Sequence, residues 1–171
     1  MNFTDDNLIY IGGEKKYRNY YSSVDFKSIN NNKTCHIQSL DDGLCGHASE
    51  VTPIGVITCG GWASNGKSRK DCFRLTDINT WESFPNMNKD RAAMDMILVG
   101  DILVVFASFN DDTFEKINIR NGDKWESVTM NKVFLDYCVT KWDEQSVLIT
   151  GGKSLEGDHR SVSNTNINLS I

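Results

Sequence analysis

The sequence predicts an all-β fold built from a repeated unit of four short antiparallel strands. Four apolar segments each end in a pair of small residues: NLIYIGG, GVITCGG, ILVVFAS and SVLITGG. Their last residues are spaced 48, 47 and 44 positions apart, at Gly13, Gly61, Ser108 and Gly152. A period of about 40 to 50 residues is typical of repeat architectures. Convincing helical periodicity does not extend beyond about ten residues anywhere in the chain, so helix is expected to be nearly absent.

The remaining strands of each unit repeat as well. A polar loop and a second strand-like run follow each small pair: SSVDF, DCFRL, FEKINI and NTNINL. The third run contains Trp81 in one unit and, 44 residues later, Trp125 in the next, whereas Cys35 stands at that place in the first unit. A fourth run precedes the apolar segment, as in AAMDMILV and FLDYCVT. Four such strands separated by turn residues form one blade of an antiparallel β-propeller.

The residue types at the repeated positions have structural roles. Paired glycines at a strand end permit positive φ and close approach of a neighbouring backbone, which assigns structural positions to Gly12, Gly13, Gly60, Gly61, Gly151 and Gly152. One tryptophan per unit can fill the gap between neighbouring blades, where a large ring buries about 150–250 Å². Trp81 and Trp125 are therefore expected to be structural.

The order of apolar run, Gly-Gly, loop, strand, Trp and a Met/Asn/Arg turn resembles the kelch repeat, and Arg91 after Pro85-Asn86-Met87 fits that pattern. The resemblance extends from Asn7 to about Leu169 and implies a kelch-type β-propeller. Ala107-Ser108 and Cys35 depart from the pattern. The spacing of the cysteines and of Gly46-His47 also resembles that of invertebrate kelch-like proteins that are extracellular.

The repeat divides the single domain, residues 1–171, into blades at about 7–40, 44–87, 92–131 and 134–171. Three strands are expected at the start, four in each of two complete units, and three at the end. Kelch propellers typically close with more blades than this, so the sequence predicts an incomplete propeller. Two alternatives stay open: a fragment of a larger propeller, or self-association of two copies to complete a ring.

The resemblance implies a protein–protein interaction scaffold rather than an enzyme, with no cofactor. Kelch domains bind partners through loops that leave the Gly-pair strands and loops that join blades. The first set here is Glu14–Asn19, Trp62–Lys70, Ser108–Asp112 and Lys153–Ser161. Arg and Trp are favoured at binding hot spots. The expected partner-binding residues are Arg18, Trp62, Lys67, Arg69, Lys70, Arg91, His159 and Arg160. The basic cluster of Lys67, Arg69 and Lys70 favours an acidic or mixed partner.

The alternative function is an enzyme. Gly61–Ser68 matches the phosphate-binding pattern G-x-x-x-x-G-K-[ST], but that motif needs a helix beginning at the lysine, and Arg69 to Leu75 reads as a strand. The three histidines, His36, His47 and His159, are scattered without a metalloprotease or hydrolase motif. A propeller-type oxidase or hydrolase stays open as the other enzyme alternative, although no ligand set for copper can be matched.

Cysteine usage and charge limit the remaining classes. Five cysteines without a CxxC spacing argue against a zinc site. Cys59 and Cys72 are expected on neighbouring strands and could pair, as could Cys35 with Cys45; buried free thiols are the alternative. A net charge of −5 disfavours nucleic acid, and no apolar stretch is long enough to cross a bilayer. Without a signal peptide the chain as it stands is expected in the cytoplasm, or outside the cell if it is a fragment of a secreted parent.

Overall fold

The computed structural model describes residues 7–16, 19–77, 79–107, 112–130, 134–154 and 165–168. All regular secondary structure among them is β-strand, and every strand pair is antiparallel. The prediction of an all-β fold is confirmed. No helix in this part of the chain is long and apolar enough to span a membrane.

The described residues form eighteen strands: β1 (Asn7–Ile11), β2 (Glu14–Lys16), β3 (Asn19–Tyr20), β4 (Val24–Ser28), β5 (Thr34–Ile37), β6 (Leu44–Cys45), β7 (Ala48–Thr52), β8 (Gly55–Cys59), β9 (Trp62–Ala63), β10 (Cys72–Asp77), β11 (Thr80–Phe84), β12 (Met94–Val99), β13 (Ile102–Ala107), β14 (Thr113–Asn118), β15 (Glu126–Thr129), β16 (Phe134–Lys141), β17 (Ser146–Ser154) and β18 (Thr165–Asn168).

Four sheets follow one another along the chain. Sheet 1 has the order β1-β4-β5, sheet 2 β11-β10-β8-β7, sheet 3 β12-β13-β14-β15 and sheet 4 β16-β17-β18. The described strands thus number three, four, four and three, as the sequence repeat indicates. Two short ribbons, β2-β3 and β6-β9, lie outside these sheets.

Consecutive sheets pack against each other through three apolar clusters, which we call the first, second and third junctions. The first junction lies between sheets 1 and 2 and includes Val24, Phe26 and Leu75. The second lies between sheets 2 and 3, and the third between sheets 3 and 4. Each internal sheet therefore contributes buried side chains to two junctions, as expected when alternate residues of a strand face opposite sides.

The first two glycine pairs have the positive φ that a tight strand exit requires. The φ angles are 60° and 108° at Gly12 and Gly13, and 65° and 89° at Gly60 and Gly61. A Cβ atom on Gly12 would lie 2.3 Å from the carbonyl oxygen of Leu44. These positions therefore need glycine for both conformation and space. Gly151 and Gly152 differ, because they lie inside β17.

The cysteines adopt one of the two pairings that the sequence allows. Cys59 of β8 and Cys72 of β10 occupy paired positions, are buried, and form a disulfide. Cys35 and Cys45 are free, so the second possible pairing, between these two residues, is wrong. The physical reason is their placement: Cys35 lies opposite Phe26 in sheet 1, whereas Cys45 lies in a separate ribbon. Burial of Cys45 raises the pKa of its thiol.

Candidate binding site: the glycine-pair hairpin and the first junction

The loop after the second glycine pair is a hydrogen-bonded hairpin. Single antiparallel bridges join Trp62 to Ser68 and Arg69 to Arg91. The backbone N–H of Ala63 donates to the carbonyl oxygen of Lys67 at 2.9 Å. This segment, which we call the Trp62–Lys70 hairpin, is therefore fixed by main-chain contacts.

The P-loop alternative is not supported by this geometry. Residues 61–77 are all described, and they contain β9, a turn, two bridge residues and β10, with no helix at Lys67. A phosphate cradle needs backbone N–H groups at the start of a helix. No described group of three or more His, Cys, Asp or Glu is arranged to hold a metal ion.

The basic residues of the hairpin differ in how they are used. Lys67 and Lys70 are exposed, and neither forms an ion pair with a described residue. The Nε atom of Arg69 donates to Asp71 at 2.7 Å, and its Nη1 atom lies 3.5 Å from Asp42. Trp62 is half-buried, with its ring directly over Gly46. Lys67 and Lys70 are thus the cations that this hairpin leaves available.

Arg91 is not a surface residue, so its prediction as a partner-binding residue is wrong. Its side chain is fully buried, and its Nε atom donates to Glu115 at 3.0 Å. Nη1 and Nη2 donate to the carbonyl oxygen and hydroxyl of Thr113 at 2.9 and 2.8 Å. A buried cation needs this pairing, because removing a charge from water costs several kcal/mol. Arg91 therefore fills the second junction.

Glu115, the partner of Arg91, was not recognised from the sequence. Its carboxylate also accepts the backbone N–H groups of Asn88 at 2.7 Å and Lys89 at 3.2 Å. A weak signal existed: Glu115 alternates with Ile117 on one face of β14, where an apolar residue is expected. Its partner Arg91 lies 24 residues earlier in the chain, so local patterning cannot identify it.

The two repeated tryptophans tie each sheet to the preceding one. The Nε1 atom of Trp81 donates to the carbonyl oxygen of Gln38 at 2.8 Å, and that of Trp125 donates to Pro85 at 2.7 Å. Both acceptors lie just after the last strand of the preceding sheet. Trp125 is 3% exposed and packs edge-on against Phe84, whereas Trp81 is only half-buried.

A cleft of about 370 Å³ opens beside Trp81 at the first junction. Its lining includes three carboxylates, one guanidinium and two aromatic rings: Asp41, Asp42, Asp71, Arg69, Phe73 and Trp81. The volume lies near the lower end of the range of about 300–1,000 Å³ that is typical of ligand pockets. Arg69 is the expected binding residue that this cleft contains.

His47 lies in a second, open cavity at the first junction, of about 330 Å³ and lined by Tyr10, Gly12 and Ser49. Desolvation by burial lowers the pKa of His47, and its Nδ1 atom has no hydrogen-bond partner in the described part of the chain. On β7 and β12, which are edge strands of sheets 2 and 3, burial raises the pKa of Glu50 and of Asp95. Their carboxylates accept backbone N–H groups from Leu98 and Val139.

Three expected binding residues, Arg18, His159 and Arg160, lie outside the described residues. The structure therefore brings together Trp62, Lys67, Arg69 and Lys70 on one hairpin and separates Arg91 from them by burial.

Comparison with known proteins supports the fold. No family model and no curated protein matches the chain. Solved structures do match, in 130 chains. The solved structure of YjhT superposes with a TM-score of 0.75 at 13% sequence identity, covering 96% of this chain. The chain spans 65% of the length of that YjhT chain. At this identity the likeness shows a shared fold alone.

Proposed function

We propose that the chain is a segment of a kelch-type β-propeller that serves as a protein–protein interaction scaffold. The repeat of four-stranded units, the packing of consecutive sheets and the likeness to the longer YjhT chain support the architecture. Partner binding would use the loops after the glycine pairs. Loops on a rigid scaffold are where binding residues concentrate.

The observation that carries this proposal is the rigidity of the Trp62–Lys70 hairpin. The backbone N–H of Gly61 donates to the carbonyl oxygen of Arg91 at 2.8 Å. The backbone N–H of Arg91 in turn donates to the carbonyl oxygen of Arg69 at 2.9 Å. Lys67 and Lys70 are therefore presented on a backbone that is tied to the next unit. A rigid surface loses less conformational entropy on binding. An acidic segment of a partner would complement these two cations.

The test is binding to an immobilised array of acidic and neutral peptides. We expect the wild-type chain to select acidic peptides, and Lys67→Glu/Lys70→Glu to weaken that binding by at least about tenfold, or about 1.4 kcal/mol. Lys124→Glu, on an exposed turn of sheet 3, is the matched control and should bind as wild type. Peptide selection that survives the double reversal would contradict the proposal.

Self-association is proposed as a second kind of protein contact. Strand β1 is an edge of sheet 1, and it exposes Leu8 and Tyr10 to 45% and 53% on one face. Exposed apolar residues on a sheet edge favour contact with another chain. Light scattering on the intact chain should show a discrete dimer, and Leu8→Lys/Tyr10→Lys should convert it to a monomer. A monomeric wild type would contradict self-association.

A further inference from the structure

The first strands of sheets 2, 3 and 4 lie side by side and form a row. β7 contacts β12, and β12 contacts β16. Each is an edge strand of its sheet and pairs antiparallel with the following strand of that sheet, which is β8, β13 or β17. We call β7, β12 and β16 the inner row. Within the described residues, sheet 1 contributes no strand to this row, because its order begins with β1.

The strand of sheet 1 that is equivalent to β8 is β1. The backbone N–H of Gly13, which follows β1, donates to the carbonyl oxygen of Leu44 at 2.7 Å. In the same way, the N–H of Gly61 after β8 donates to the carbonyl oxygen of Arg91 at 2.8 Å. In sheet 2, β7 covers the outer side of β8. The corresponding side of β1 is therefore the place where the inner row would continue.

The uncovered edge of β1 presents main-chain groups. The N–H of Gly12 donates to the carbonyl oxygen of Ser23 at 3.0 Å, and β1 pairs with β4 in continuous register. Because successive N–H groups alternate between the two sides of a strand, those of Ile9 and Ile11 point away from β4. An open edge of this kind is a template for pairing with another strand.

An open cavity of about 330 Å³ lies along this edge. Ile9, Tyr10 and Ile11 line it from β1, and His47 and Ser49 line it from the side of sheet 2. The Nδ1 atom of His47 is buried and has no hydrogen-bond partner in the described part of the chain. The place where the inner row would continue is therefore open, and it contains a polar atom that a bound group can satisfy.

Carboxylates join the members of the inner row. Glu50 of β7 accepts the backbone N–H of Leu98 on β12, and Asp95 of β12 accepts that of Val139 on β16. Each carboxylate thus lies on the strand that precedes the donor strand. A strand beside β1 would precede β7 in the row, so its carboxylate would accept an N–H group of β7.

Two N–H groups of β7 are available for such a contact. The N–H of Gly60 donates to the carbonyl oxygen of Asp71 at 3.0 Å, so alternation along the ladder directs the N–H groups of Ser49 and Val51 away from β8. Both residues are exposed, and neither N–H donates to a described residue. These groups correspond to the donors on β12 and β16.

The side chains of the inner row indicate what a strand at this place carries. Asp95, Ile97 and Val99 alternate on one face of β12, and Ile97 and Val99 pack in the third junction. This face therefore presents an acid followed by two apolar residues to the next sheet. At the first junction the same pattern would place a carboxylate beside β7 and apolar side chains in the cavity.

We propose that the edges of β1 and β7 bind an extended acidic segment of a partner protein as an added strand. The segment pairs antiparallel with β1 through Ile9 and Ile11. Its carboxylate accepts the N–H of Ser49 or Val51, and its alternate apolar side chains enter the cavity beside His47. Strand addition derives affinity from main-chain hydrogen bonds and specificity from alternate side chains. The inference goes beyond the proposed scaffold function, because it uses neither the Trp62–Lys70 hairpin nor contact between copies.

The experiment is a fluorescence anisotropy titration of the intact chain against a labelled, blocked heptapeptide, Lys-Asp-Thr-Ile-Thr-Val-Lys, which carries the acid and the apolar residues at alternate positions. We expect saturable binding. The analogue with Asn in place of Asp should bind at least about tenfold more weakly. The peptide Lys-Asp-Ile-Val-Thr-Thr-Lys has the same composition without the alternation and should bind as weakly as the Asn analogue.

A protein variant tests the donors on β7. Ser49→Pro/Val51→Pro removes both N–H groups, and proline is tolerated on an edge strand where the N–H points away from the sheet. This variant should bind the peptide at least about tenfold more weakly. The matched control, Ser49→Thr/Val51→Thr, retains both donors and should bind as wild type. Circular dichroism establishes that each variant is folded.

The outcomes separate this site from the other proposals. If the proline variant does not fold, the comparison of the Asp and Asn peptides decides. Equal binding of these two peptides, or undiminished binding by a folded proline variant, would overturn the proposal. The Lys67→Glu/Lys70→Glu variant should still bind the heptapeptide, so failure of the hairpin as a binding surface is a separate result.

Light scattering during the titration tests the other occupants of this edge. A chain that stays dimeric and takes up no peptide assigns the edge to a second copy and overturns the proposal. Peptide binding that begins only after residues 1–6 are removed assigns the edge to the chain's own N-terminal residues and overturns it as well. Peptide binding by the intact monomer supports a segment of a partner protein.

Discussion

The first and second junctions share a main-chain design and differ in what fills them. Both have a glycine N–H that donates to the next unit, and both have a tryptophan N–H that donates to the preceding sheet. The second junction is closed by a buried Arg91–Glu115 pair, whereas the first has Leu44 and an open cleft. Backbone contacts therefore set the spacing of the sheets, while side chains decide whether the space between them is filled.

The largest expected effect comes from making the second junction resemble the first. Arg91→Leu should lower the free energy of unfolding by about 3–5 kcal/mol, because it leaves the Glu115 carboxylate buried without its cation. Urea denaturation followed by fluorescence measures this loss.

Glu115→Gln and the double variant Arg91→Leu/Glu115→Gln complete a mutant cycle. Since the two side chains are in contact, the double variant should lose less than the sum of the single losses. Strictly additive losses of unfolding free energy would show that Arg91 and Glu115 do not stabilise the fold as a pair. The second junction would then not differ from the first in the way described above.

The tryptophans offer a direct comparison of packing. Trp125→Ala should cost about 3–5 kcal/mol, since the ring is buried, and Trp81→Ala roughly half as much, since one side faces the cleft. Thermal and urea unfolding of both variants measures the difference. Trp142→Ala is the control, because that ring is 61% exposed and its loss should change stability by no more than about 0.5 kcal/mol. Equal losses of stability in the two variants would contradict the inference that Trp125 contributes more than Trp81 to packing between the sheets.

The disulfide stabilises sheet 2, which belongs to both junctions. Its cysteines are 13 residues apart, and closing a loop of about that length contributes roughly 3 kcal/mol in the chain-entropy model. The free energy of unfolding of Cys59→Ala/Cys72→Ala should be lower than that of the wild type by about 2–3 kcal/mol, and a reductant should not change it further. Cys35→Ser, at an exposed free thiol, should unfold as wild type does. A double variant as stable as wild type would show that the bond is not formed in solution.

The smallest expected effect is a pH dependence that separates the junctions. Burial lowers the folded-state pKa of His47 below 6.5, so the unfolded chain binds more protons as the pH falls. The contribution of His47 is fully present above about pH 6.5 and is lost as the pH falls through the folded pKa. His47→Gln should remove this loss in unfolding curves recorded from about pH 7.5 to about pH 5.

The pH dependence of stability that Glu50 causes at the second junction has the opposite sign. Burial raises its pKa above 4.5, so the folded chain binds more protons and stability falls as the pH rises through that window. In Glu50→Gln, the unfolding free energy should therefore change less with pH just above about pH 4.5, while the loss of stability that His47 causes at acid pH should remain. If the unfolding free energy of His47→Gln falls with decreasing pH as steeply as that of the wild type, His47 is not the cause of this loss.

The all-β class and the order of strands could be predicted because they depend on local patterns that recur. Gly13 and Gly61 mark strand exits, and their positive φ follows from their residue type. Arg91 was misplaced for the opposite reason: its kelch-like position indicated a loop, but Glu115 lies 24 residues further along the chain. Nothing near Arg91 in the sequence shows that it is paired and buried.

The cleft was beyond sequence prediction because separate parts of the chain line it, among them Asp42, Arg69 and Trp81. Leu44 and Arg91 can be recognised as equivalent only from the hydrogen bonds that their carbonyl oxygens accept from the N–H groups of Gly13 and Gly61. The segment between about 40 and 44 also fell between two predicted blades. Non-local contacts of this kind leave no trace in a single unit.

The main-chain ties at Gly13 and Gly61 have a consequence for how such a chain evolves. Every amino acid has a carbonyl oxygen, so positions 44 and 91 can change freely without breaking the bond that aligns the sheets. This hydrogen bond therefore restrains substitution at the donor glycines and not at the acceptor positions. The fold that this chain shares with YjhT, at a TM-score of 0.75, is accordingly compatible with only 13% sequence identity.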